Sequence, residues 1–61
     1  MGLIRSANLD RPDDVYEALI ALQEGCDEAE ALKRYGKLII CLANHIGDER
    51  VVFEALDIAK G

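Results

Sequence analysis

Residues 27–48 read DEAEALKRYGKLIICLANHIGD, and this stretch decides the fold. Asp27 followed three residues later by Glu30 is an Asp version of the capping box that opens helices. Gly47 is a natural left-handed stop. Between these signals Leu32, Tyr35, Ile39, Leu42 and Ile46 recur at spacings of three and four, the period of one helical face. The pattern predicts a helix over 27–46. Its first half is amphipathic in the ordinary way. Its second half is apolar on every side from Leu38 to Ala43, and a helix of that kind must be covered all round. Gly36 offers a place where another backbone can come close, at some loss of helix propensity.

Moving outward toward the C-terminus, Asp48 is an N-cap placed directly after the glycine stop, and a third helix is predicted over 48–60. Val52, Ala55, Leu56 and Ala59 define one face of it, and Val51, Phe53 and Ile58 widen that face. The connection is so short that this helix must fold back or turn sharply on the one before. In the other direction, Gly25 closes a first helix over 12–24. Pro12 suits the first turn because it needs no hydrogen-bond partner there, and Asp13 and Asp14 set negative charge at the positive end of the helix dipole. Val15, Tyr16, Leu19, Ile20 and Leu22 form its apolar side. Residues 1–9 are an arm with Leu3, Ile4 and Leu9 but no sustained period. The expected fold is all-α, with residues 1–61 forming a single helical domain. A short N-terminal arm precedes three helices (short, long, short) in a small bundle completed by dimerisation or by a partner.

Size explains why completion is needed. A chain of 61 residues buries only about 60% of the surface its unfolded form exposes, so it needs a disulfide, a metal or association to be secure. Cys26 and Cys41 are the only cysteines and no secretory signal precedes them, which favours reduced thiols, one or both packed as small hydrophobes, in a cytoplasmic protein. Association is what remains. The net charge of −5 and the scattering of seven basic residues, with Lys33-Arg34 the one adjacent pair, argue against nucleic acid as a partner. No apolar run reaches the roughly 18 residues that span a bilayer, and the charge opposes anionic lipid. Gly2 and Ser6 fit a loose myristoylation pattern, but a single acyl chain anchors only marginally, so no membrane role is expected.

The strings YEALIALQEG (16–25) and LIICLANHIGDERVVFEAL (38–56) carry a resemblance to a small uncharacterised bacterial domain family of stand-alone proteins of about this length. The matching pieces are Asn8-Leu9, Pro12-Asp13, Tyr16-Glu17-Ala18-Leu19, the ANHIGD block Ala43–Asp48, and Phe53-Glu54-Ala55-Leu56. Cys26-Asp27-Glu28 stands where the family pattern has serine-aspartate-glutamate, and Tyr35-Gly36-Lys37 where it has asparagine-alanine-arginine. The resemblance implies no established activity. It points to an accessory role beside larger enzymes, flavin-dependent oxygenases among them.

The most chemical-looking patch is the junction Asn44, His45, Gly47 and Asp48. A catalytic reading would make His45 a base oriented by Asp48. The structural reading is preferred: His45 lies in a last helical turn where a cation suits the dipole, Asp48 caps the next helix, and Asn44 can bond nearby backbone. Cys41 and His45, four residues apart, share one side of their helix and could supply half of a tetrahedral zinc site completed across a two-fold dimer. Asp13-Asp14 and Asp27-Glu28-Glu30 sit at helix starts, where capping accounts for them. No nucleophile elbow, phosphate loop or cysteine-pair motif is present, Ser6 is the single serine, and a cleft of small-molecule size is not expected.

The reading that results is a non-catalytic helical interaction module without cofactor or small-molecule substrate. It associates with itself or with a larger enzyme subunit, an oxidoreductase being the kind the resemblance suggests. Contact is assigned to Leu38, Ile39, Ile40, Leu42, Val52, Phe53 and Leu56, with Tyr35 as aromatic anchor. The alternative is a metal or redox protein built on Cys41 and His45. A helix-turn-helix regulator is set aside because Asp48, Glu49, Glu54 and Asp57 would face phosphates.

Overall fold

The computed structural model describes residues 2–61; Met1, the first residue of the expected arm, lies outside them. Three helices follow the arm: α1 (Pro12–Ala21), α2 (Glu28–Ile46) and α3 (Glu49–Lys60). No strand occurs among the described residues, and the fold is an all-α small bundle. The caps act where the sequence places them. The Glu30 amide donates to the Asp27 carboxylate at 2.8 Å, and the Arg50 amide donates to the Asp48 carboxylate at 3.0 Å. Gly47 adopts φ 69° and its amide donates to the Ala43 carbonyl at 3.0 Å, ending α2 in the left-handed turn that leads straight into Asp48.

The first helix ends sooner than its glycine suggests. α1 closes at Ala21, and the amides of Gln23 and Glu24 reach back only three residues, to Ile20 and Ala21, at 3.3 and 3.1 Å. This tightening carries the chain through Leu22–Gly25, where Gly25 takes φ 74°. It also leaves the Leu19 carbonyl without its α-helical donor. The Tyr35 hydroxyl supplies one at 2.5 Å, and the Arg34 guanidinium donates to the Leu22 carbonyl at 3.1 Å. Two side chains of α2 therefore satisfy the open end of α1, and Arg34 brings a cation to the negative end of its dipole.

These contacts hold α1 without a core. Among the described residues α2 and α3 are the only helices whose backbones approach one another, and they do so around the Gly47-Asp48 corner. Val51, at 6% exposure, is the single buried residue described. The chain exposes 5541 Å², whereas a compact monomer of 6.7 kDa exposes about 3,900 Å². Its radius of gyration is 13.0 Å, against about 10.5 Å for a compact domain of this length. The helices are formed, with side-chain caps on α2 and α3, but they stand open. The thiols share in this: Cys26 is half-buried, its Sγ 3.6 Å from the Glu24 carbonyl oxygen, while Cys41 is exposed rather than packed within its own chain.

Because α1 is fastened by polar contacts to its last turn, Tyr35→Phe should loosen it selectively. The expected loss is about 1 kcal/mol in urea denaturation. Amides of α1 should exchange faster in the variant while those of α2 keep their protection.

Candidate interaction surface

The 3-4 spacing of apolar residues on α2 and α3 has a direct geometric result. Ile39, Leu42, Ala43 and Ile46 on α2 face Val52, Ala55, Leu56 and Ala59 on α3 across an open groove. Every side chain lining it is apolar. The two helix backbones approach one another at few positions, and the groove lies open between their apolar faces.

The apolar surface continues past the groove. Ile40 projects from the next strip of α2 and is 70% exposed. On one side of it lies a shallow depression shared with Gly36, Lys37, Ile39 and Cys41. On the other lies a second, formed with Ala43, Asn44, Gly47, Asp48, Glu49, Val52 and Phe53. Phe53 is 63% exposed, and Ile39, Leu42 and Leu56 are each about half exposed or more. Covering a side chain of this size fully is worth about 1.5–3 kcal/mol. Since these five side chains are already partly covered, roughly half of that gain, about 4–9 kcal/mol in all, is unrealised within one chain, which is still comparable with the stability of a small domain.

Of the residues assigned to contact, Ile39, Ile40, Leu42, Val52, Phe53 and Leu56 line these depressions, Val52 half-buried and the others exposed. Leu38 is half-buried and lines none of the three. Tyr35 also stands apart. It is half-buried and its hydroxyl is engaged by Leu19 of α1, so it belongs to the chain's own packing rather than standing free as an aromatic anchor. The exposed aromatic on this face is Phe53. Ala43, Ile46, Ala55 and Ala59 also line the groove and were not assigned to it from the sequence; their 3-4 spacing opposite Leu42 and Leu56 was the available signal.

At the junction Asp48 caps α3, its carboxylate also lying 3.5 Å from the Arg50 guanidinium Nε. His45 is exposed in the last turn of α2. It lines a depression with Gly2, Leu3, Ile4, Asn8, Ile46 and Val51, so the N-terminal arm lies against the α2–α3 corner beside it. The arm lacks a period, so its apolar residues do not signal which surface it packs against. Among the described residues no three His, Cys, Asp or Glu side chains group as a metal site, and Cys41 and His45 gain no third ligand within the chain. No helix of the described residues is long and apolar enough to cross a membrane.

Fold and surface together define a small all-α domain whose α2 and α3 share a continuous uncovered apolar face. The chain belongs to the family described as protein of unknown function (DUF2783), whose model matches residues 3–61. No curated protein and no solved structure matches it.

The corner that sets the two apolar faces beside each other rests on a left-handed glycine, so Gly47→Ala should lower stability by about 1–2 kcal/mol. Asp48→Ala removes the following cap and should lower it by about 1 kcal/mol. Thermal denaturation followed by circular dichroism measures both.

Proposed function

We propose that this chain is a non-catalytic helical interaction module whose α2–α3 face is covered by another protein surface, either a second copy or a larger enzyme to which it is a small accessory subunit. The observation that carries this reading is the continuity of the exposed apolar face from the groove across Ile40 to Phe53. Contiguous apolar patches beyond a few hundred Å² on a soluble chain mark interaction sites. The helices behind the face are capped at their joints, so the surface is presented in a set shape. Both cysteines are free thiols, which suits a reducing compartment such as the cytoplasm.

The test is Ile40→Asp, which places a charge at the middle of the face. Association, measured by size-exclusion chromatography with light scattering, should be abolished while the helical signal in circular dichroism is largely kept. Unchanged association would remove the face from the interface. Loss of all helix would place Ile40 in the chain's own core.

A further inference from the structure

The proposed module has an open side, and the dimensions of the chain bear on what closes it. Resting on that reading, we infer that the occupant is a second copy of this chain, related by a two-fold axis that passes near Ile40, with the two α2 helices antiparallel.

Area is the first argument. The chain exposes 5541 Å², about 1,600 Å² more than a compact monomer of its mass. Two copies that covered the whole of this excess, the exposed apolar side chains of α1 and the arm included, would bury about 3,200 Å², and even two thirds of it lies inside the 2,000–5,000 Å² range of obligate homodimers. Shape is the second. The radius of gyration, 13.0 Å, is close to the roughly 13.7 Å of a compact globule of twice this length. One copy is already nearly as extended as a compact pair would be, so a second can lie against the open face beside Ile40 with little expansion. A docking patch on a large enzyme would set no such relation.

Charge selects the arrangement. Lys33, Gly36 and Ile40 lie along one strip of α2, because seven residues are nearly two helical turns. A Cβ added to Gly36 would meet nothing within 4 Å, which leaves room for a second helix to approach closely one turn from Ile40. With the two α2 helices antiparallel about Ile40, Lys33 of one copy comes level with Gly47 of the other, about 10 Å along the axis from the crossing. Glu49, which lines the depression beside Ile40, then stands next to it. Among the described residues neither Lys33 nor Glu49 has an ion-pair partner. The two-fold makes the match twice, acid to base at each end. A parallel pairing would set Lys33 against Lys33 and Glu49 against Glu49.

Sedimentation equilibrium on the untagged chain should give a dimer, with a melting temperature that rises with concentration. Lys33→Glu and Glu49→Lys alter exposed side chains and should leave the helical signal intact. Each alone should weaken self-association roughly fivefold or more. Mixing the two variants should restore it in a heterodimer, since both ends again pair acid with base. A dimer indifferent to these exchanges, or one not restored by mixing, overturns the antiparallel arrangement. A monomer that binds a hydrophobic dye and melts without cooperativity overturns the second copy as occupant but keeps the module reading. A monomer that melts cooperatively and binds no dye overturns both.

Discussion

One constraint governs this molecule: α2 is apolar on every side from Leu38 to Ala43, and the chain has too little of itself to cover it. Two flanking helices of 10 and 12 residues can each screen one strip of a 19-residue helix. In the structure they do less than that. Two side chains of α2 are hydrogen-bonded to the end of α1, and α3 meets α2 at a corner. Everything else described follows from that shortfall, including the open groove, the exposed Ile40 and Phe53, and a surface too large for the mass. The hydrophobic effect acts on area removed from water, so a chain that cannot remove the area alone is driven toward whatever can.

The local architecture was legible because its signals are local. Asp27 with Glu30, Gly47 with Asp48, and Pro12 with two aspartates after it are short patterns whose energies come from backbone groups a few residues away. Such patterns place helix ends without reference to the rest of the fold. The run of apolar residues on α2 was equally direct evidence that something is needed on all sides of it. The same applies to most of the candidate surface, since a residue such as Ile40, lying outside the main seam of Leu32, Ile39 and Ile46, has no assigned neighbour in a three-helix chain.

What was not legible depends on contacts between distant residues. Tyr35 falls on the apolar seam and reads as a surface anchor by type and position. Its engagement with Leu19 follows only once the end of α1 tightens and leaves a carbonyl open. That tightening has no clear sequence sign, because Leu22, Gln23 and Glu24 are all tolerable in a helix and Gly25 is the stop that pattern reading selects. The opening between α2 and α3 is likewise a tertiary quantity, set by how faces pack, and here the two backbones approach one another at few positions. The place of the arm beside His45 and Val51 belongs to the same category.

Val51 is the one described residue that the chain buries, and this has a consequence on a larger scale than the molecule. A protein with an interior carries its stability with it and folds equally well at any dilution. A chain whose interior is one side chain has little such reserve, and its folded fraction depends on how often apolar surface is available nearby. Abundance then becomes a determinant of structure. On the proposed reading, copies made beyond what can be covered would stay loosely packed and open to proteolysis, while covered copies would persist. The quantity of the protein in a cell would then follow the quantity of surface that it closes.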